Sequence, residues 1–238
     1  MQAFIKKEGD RMAKIIVYNT STQNLEVFWR GENESMPYVW NNTMRVREFR
    51  GSSDSPTLWT TRQAMEAWNA TRQSYGNPIP FGYAFKRIWE GGHGRTSQHY
   101  AGVSFDVGQS LTNAQRGRIR NIASDLGVWG YVEPRNLTPT WVHFDRRYGR
   151  GACGGTRGYN TLYRGSRGVY VLVLQDCLNT LGYATAGLDG IFGGATERAV
   201  YNFQGDYGLA RDGVCGCNTW TQITTLVHNN GPSSTTVN

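Results

Sequence analysis

Three residues in the middle of the chain have the types and order to hold a metal ion: His99, Asp106 and His143. Two imidazoles and one carboxylate suit Zn²⁺, and three protein ligands leave a fourth position for water, as in a hydrolytic site rather than a structural one. A lone loop histidine or strand-end aspartate is ordinary surface chemistry. These three carry weight because of the side of the chain they share. In Val103–Val107, Val103, Phe105 and Val107 alternate with Ser104 and Asp106, which turns Asp106 away from the apolar face. In Trp141–Asp145, Val142 and Phe144 point inward and His143 shares the other face with Trp141 and Asp145. If the two segments are neighbouring strands, both ligands reach one cleft.

Hydrolysis at such a centre also needs a group that takes a proton from water and passes it to the leaving amine. Glu133, just after the apolar Val128–Val132, serves if the loop Pro134–Pro139 folds back. Asp145 is the second candidate, or else an outer partner that orients a ligand. His93, in Gly91-Gly92-His93-Gly94, reads as a flexible surface loop before it reads as an aid to the transition state.

The run Ser97-Gln98-His99-Tyr100-Ala101-Gly102-Val103-Ser104-Phe105-Asp106 resembles the S-x-H-x-x-G-x-A-x-D motif of the M15 peptidases, with Ser104 in the alanine position. Trp141-Val142-His143 matches that family's second motif, W-x-H. The family comprises D-Ala-D-Ala carboxypeptidases and L-Ala-D-Glu endopeptidases related to the hedgehog fold, and the resemblance extends over about residues 45–148. It implies an α+β domain, an antiparallel sheet with helices, and one zinc per chain on His99, Asp106 and His143. The implied activity is hydrolysis of peptidoglycan stem peptides, with Ser97 and Trp141 at the substrate. Two positions depart from the pattern. Thr140 stands where many relatives have Glu, and Ala84-Phe85 follows Tyr83 where the family often has an Arg that pairs with a substrate carboxylate. Lys86, Arg87 or Arg95 is expected to substitute. These departures support a competing reading, a non-catalytic zinc-containing wall-binding protein. A glycosidase would need paired carboxylates across a sugar cleft, for which no motif speaks.

Leu162–Leu226 resembles the peptidoglycan-binding domain 1 family through an ordered set that includes Gly168, Leu174-Gln175, Leu181-Gly182-Tyr183, Asp189-Gly190-Ile191-Phe192-Gly193, Phe203-Gln204, Asp212-Gly213 and Thr219-Trp220. Val171, Leu174, Leu178 and Leu181 form a helical stripe, and the two Asp-Gly turns bring two further helices against it. The resemblance implies a small three-helix domain that binds bacterial peptidoglycan and concentrates an enzyme on an insoluble polymer.

The elements that must position these residues follow from periodicity. Ala13–Asn19 and Leu25–Arg30 form a hairpin. Pro56–Tyr75 is a helix with Leu58, Met65 and Trp68 on one face, stopped by Gly76. Pro78–Tyr83, Val103–Val107, Val128–Val132 and Trp141–Phe144 supply strands. Leu111–Leu126 is a helix opened by Thr112 and Gln115 at capping-box spacing. Gly168–Leu181, Thr196–Tyr207 and Thr219–Val227 are the C-terminal helices. The resulting divisions are an N-terminal extension and hairpin (1–44), the peptidase-like domain (45–148), a Gly-rich linker (149–160), the wall-binding domain (161–228) and a polar tail (229–238), with the two domains folding separately.

Composition sets the outer bounds. The 238 residues suit one or two domains. Lys plus Arg exceed Asp plus Glu by 25 to 18, so the surface attracts polyanions such as wall polymers. The basic residues are scattered and no nucleic-acid motif is present, so nucleic acid is not the expected partner. No run approaches the ~18 apolar residues of a membrane span, and Met1–Asp10 lacks the apolar core of a signal peptide. Met12 is an alternative start. Synthesis in the cytoplasm with release by lysis or a sporulation route, and action at the wall as a monomer, are the expectations. The four cysteines, Cys153, Cys177, Cys215 and Cys217, all lie in the C-terminal part. Their spacing allows a disulfide and disfavours a structural zinc knot.

Overall fold

The computed structural model describes residues 11–229. Met1–Asp10 and residues 230–238, which include the leader question and nearly all of the expected polar tail, lie outside the described residues. The hairpin forms as expected from β1 (Met12–Tyr18) and β2 (Leu25–Gly31), in antiparallel register from Met12 opposite Gly31 to Tyr18 opposite Leu25. It is not an appendage. β1 pairs on its other edge, in parallel, with β3 (Thr57–Thr61), giving a sheet of order β2-β1-β3. Ile15, Ile16 and Val17 are buried, so the division expected between residues 44 and 45 cuts through a core.

β3 also corrects the expected helix Pro56–Tyr75. Its first residues, Thr57-Leu58-Trp59-Thr60-Thr61, are rich in β-branched and aromatic side chains that suit a pleated strand. The helix α2 begins only at Arg62, after a short α1 (Val46–Arg50), and ends at Tyr75. Thr61 caps it by accepting from the Ala64 N–H at 3.1 Å, and Gly76 ends it at φ 77°.

The second sheet is antiparallel with order β4-β5-β7-β6, from β4 (Phe81–Tyr83), β5 (Ser104–Val107), β6 (Tyr131–Val132) and β7 (Val142–Asp145). α3 (Asn113–Asp125) carries the expected Thr112–Gln115 capping box and packs against α2, β6 and β7. One side of this sheet is apolar, with Phe105 and Phe144 against Trp68 and Trp129. The other side carries Asp106 and His143.

Three helices follow: α4 (Val169–Thr180), α5 (Gly194–Asp206) and α6 (Cys217–Asn229). A repeated device joins them. The Gln175 amide on α4 donates to Asp189 Oδ1 (2.7 Å) and accepts from the Gly190 N–H (3.0 Å), while the Gln204 amide on α5 does the same with Asp212 (2.7 Å) and Gly213 (2.9 Å). Each buried glutamine fixes the Asp-Gly turn that starts the next helix, with Gly190 and Gly213 at φ near 70°.

The expected separation into two freely joined domains is not what the contacts give. Val169 to Leu178 of α4 is buried on every side, which marks a central helix rather than an amphipathic one. The buried core runs unbroken from β1 to α6. Arg87 forms a buried bidentate ion pair with Asp176 of α4, and Tyr148 stacks on Tyr170 at 4.6 Å. Nor is the Gly-rich stretch a free linker. Gly151 bridges to Asn160, Cys153 is disulfide-bonded to Cys217 of α6, and the Gly158 carbonyl accepts from the Gln98 amide at 2.9 Å. Cys177 and Cys215 are buried free thiols. No helix among the described residues is long and apolar enough to cross a membrane.

Candidate metal centre

Asp106 on β5 and His143 on β7 are directly paired across the sheet, so their side chains stand together on its polar face. His99 comes from the tight turn Ser97–Gly102 that feeds β5. The turn depends on Gly102: its φ is 66°, and a Cβ there would lie 1.9 Å from the Trp59 carbonyl of β3. Thr60 of β3 donates to the Gly102 carbonyl at 2.7 Å, so β3 acts as the template for the turn. This explains in physical terms why the first motif contains a glycine.

The His99 ring is buried, and its Nδ1 lies 2.9 Å from the Ala84 carbonyl. A carbonyl only accepts, so Nδ1 carries the proton and Nε2 presents a lone pair. That Nε2 is buried without a hydrogen-bond partner, 3.3 Å from Asp106 Oδ2 at an angle that makes no hydrogen bond. Two acceptors facing each other in a water-poor site repel unless a cation or proton lies between them. His143 supplies the third arm: its Nδ1 is 2.6 Å from Asp106 Oδ1 and its Nε2 is 3.4 Å from Asp145 Oδ2. The chemistry of these donors, their sidedness and the stranded lone pair suit a divalent ion of the zinc type, and the donor atoms that lie mutually close are those of His93, His99 and Asp106.

The same contacts set the charge states of the side chains. Burial opposes charge on Asp106, but the hydrogen bond from His143 and the positive charge beside it hold its carboxyl well below the usual carboxylate range. Burial likewise opposes protonation of His143, yet the flanking Asp106 and Asp145 carboxylates outweigh it and push the imidazole up to about 9. An imidazole held between two carboxylates has Nδ1 for a metal and Nε2–H for an outer partner.

The site opens into a cleft of about 640 Å³ bordered by Ser97, Glu133 and Trp141 among the expected residues. Glu133 needs no folded-back loop. Its N–H donates to the His143 carbonyl at 2.9 Å, continuing β6 by one residue and placing Glu133 opposite His143 on the same face. Asp145 does not present a free carboxylate: it is fully buried and ion-paired to Arg147, with Arg147 Nε donating to Oδ1 at 2.6 Å. That geometry corrects the expectation of a base there and leaves a group that orients His143. Arg87 and Arg95 are also corrected as substrate contacts. Arg87 is consumed by Asp176, and Arg95 hydrogen-bonds Thr225 on α6; neither borders the cleft.

At the cleft one group, Arg157, escapes the sequence reading, and another, His93, departs from the flexible surface loop expected of it. Arg157, from the Gly-rich stretch, borders it because the disulfide-tethered segment folds back over the site. His93 packs its ring 4.2 Å from His99 and 4.3 Å from Tyr83. Burial, then the neighbouring His99, lowers its pKa to about 4, so it is a neutral imidazole. The only sequence signal for His93 is its residue type.

Comparison with known proteins gives similarity over part of the chain. Residues 167–223 match the family described as "Putative peptidoglycan binding domain". The matched segment, which takes in α4, α5 and the first half of α6, is similar to that family. The chain is 45% identical over 67 residues to a zinc D-Ala-D-Ala carboxypeptidase of Streptomyces albus G, covering 26% of each protein. It is 47% identical over 49 residues to the N-acetylmuramoyl-L-alanine amidase CwlM of Mycobacterium tuberculosis, covering 21% of this chain and 12% of that protein. A spore cortex-lytic enzyme of Bacillus cereus is 41% identical over 58 residues, covering 24% of this chain and 22% of that protein. The chain therefore spans about a quarter or less of the length of these curated relatives.

Proposed function

We propose that this protein is a zinc-dependent peptidase of bacterial peptidoglycan stem peptides, a D,D-carboxypeptidase or L-Ala-D-Glu endopeptidase, held on the wall by its peptidoglycan-binding domain. The observation that carries the reading is the buried His99 Nε2 lone pair facing the Asp106 carboxylate, with His143 beside them and Glu133 at the cleft. The antiparallel sheet β4-β5-β7-β6, apolar on one face and polar on the other, supports a hedgehog/DD-peptidase-like catalytic fold. The similarity to a zinc D-Ala-D-Ala carboxypeptidase supports the metal and the substrate class.

His99, Asp106 and His143 would hold the zinc, which would supply Lewis-acid chemistry at the scissile carbonyl and at the attacking water. The chain does the rest. The Ala84 carbonyl keeps the His99 proton on Nδ1, so that Nε2 faces the centre. Asp145, held by Arg147, fixes the orientation of His143 through Nε2. Glu133 takes the proton of the attacking water and delivers it to the leaving nitrogen. Ser97 and Trp141 border the bound peptide. The protein acts at the bacterial wall.

The test is digestion of purified muropeptides by zinc-loaded protein, read by mass spectrometry, which reports both activity and bond. Glu133→Gln should retain zinc and lose turnover by ~10²-fold or more. Unchanged turnover in that variant would remove Glu133 from the mechanism. The second reading, a non-catalytic zinc-containing wall-binding protein, draws on Thr140, an exposed residue where many of the resembled peptidases carry Glu. Zinc binding and sacculus binding without cleavage of any stem peptide would establish it instead.

A further inference from the structure

His93 lies in a Gly-rich loop, yet its placement is closely determined. Its N–H donates to the Tyr100 hydroxyl at 3.2 Å, and its carbonyl accepts from that hydroxyl at 3.0 Å and from Nε2 of His228 at 2.8 Å. All three are main-chain contacts of His93. They spend nothing of its ring, which is turned inward between Tyr83 and His99. His93, His99 and Asp106 each offer a ligand atom within 4.8 Å of the others. Ligands around a tetrahedral zinc stand ~3.3 Å apart for bonds of ~2.0–2.1 Å. The His93 ring therefore stands within side-chain rotation of a metal held by His99 and Asp106.

We propose that His93 is a fourth protein ligand of the metal on His99, Asp106 and His143, and that helix α6 holds it in place through His228. The inference rests on the zinc reading above. It gives the C-terminal helix a second task besides completing the wall-binding domain: it grips the loop that carries a ligand. Arg95, two residues beyond His93, is fastened to the same helix through Thr225. A zinc with four protein ligands is closed, so the His93 ring rotates off the metal when substrate enters, while its main chain stays bound to Tyr100 and His228.

The experiment is metal binding by the full chain, because the catalytic and C-terminal parts share one core. Zinc affinity is measured by competition with a chromophoric chelator, and coordination by the visible absorption of Co²⁺-substituted protein. His93→Ala keeps every main-chain hydrogen bond described above, so it should fold, which circular dichroism checks. Its zinc affinity should fall by more than ~10-fold, its Co²⁺ spectrum should change, and added imidazole should restore that spectrum. His228→Ala, outside the site, should weaken zinc in the same direction by a smaller factor. Unchanged affinity and spectrum in His93→Ala, while His99→Ala loses metal, overturns the fourth ligand and leaves the zinc reading intact. An effect of His93→Ala without any effect of His228→Ala overturns the role of α6. Failure of the unsubstituted protein to bind zinc overturns both readings.

Discussion

The buried pair between Arg87 and Asp176 offers a direct test of whether the C-terminal helices are part of the same folding unit as the candidate metal centre. Asp176 has 1% of its side chain exposed and Arg87 10%, so water screens neither charge. The pair is bidentate, with Arg87 Nε donating to Oδ2 at 2.9 Å and a second nitrogen donating to Oδ1, and the guanidinium lies 4.8 Å from the Trp89 ring. Asp176→Asn removes the negative charge and leaves a buried guanidinium without its counter-ion. Burial already lowers the Arg87 pKa, which shows the direction of that cost. Breaking one side of a buried pair costs about 3–5 kcal/mol. At about 2–4 °C per kcal/mol for a chain of this size, the melting temperature should fall by roughly 6–20 °C. Replacing both partners, as in Arg87→Met with Asp176→Leu, should recover most of the loss, because neither variant side chain carries a charge. Calorimetry and urea unfolding should show one transition, since the core is continuous across the pair. A loss below about 1 kcal/mol, or two transitions of which only one moves, would refute the reasoning.

Gly102→Ala should prevent folding or cost more than ~3 kcal/mol, since it combines a positive φ with a Cβ driven into the Trp59 carbonyl; soluble yield and thermal melting check this. His143→Ala should remove zinc and muropeptide cleavage together, measured by metal analysis and mass spectrometry. Reduction of Cys153–Cys217, which closes a loop with a sequence separation of 64, should destabilise the chain by about 4 kcal/mol on the chain-entropy account, visible as a lower urea midpoint with reductant. A chain ending at Arg150 should fail to give a sharp thermal transition, because it loses α4 from the centre of the core and strands Arg87; a cooperative melt close to that of the whole protein would show that the catalytic part folds alone.

What the sequence determined by itself was local. Alternation in Val103–Val107 and Trp141–Asp145 put Asp106 and His143 on the polar side of their strands, because successive strand side chains must point to opposite faces. The Thr112–Gln115 cap was legible for the same reason: donor and acceptor sit within one turn. The ordered Gln and Asp-Gly positions of the C-terminal part marked its resemblance to peptidoglycan-binding domains, and each pair closes over a short stretch of chain. Tertiary structure decided the rest. Thr57–Thr61 became a strand because β1 offered an edge, overriding the helical spacing of Leu58 with Met65 and Trp68. Glu133 came to the site through the pairing of β6 with β7 rather than through a loop. Arg87 was drawn from the substrate side by Asp176, 89 residues away in the chain, and His93 was anchored by His228 at a separation of 135. Periodicity records which face a residue occupies, but it holds no information on which distant partner will meet that face when the chain closes.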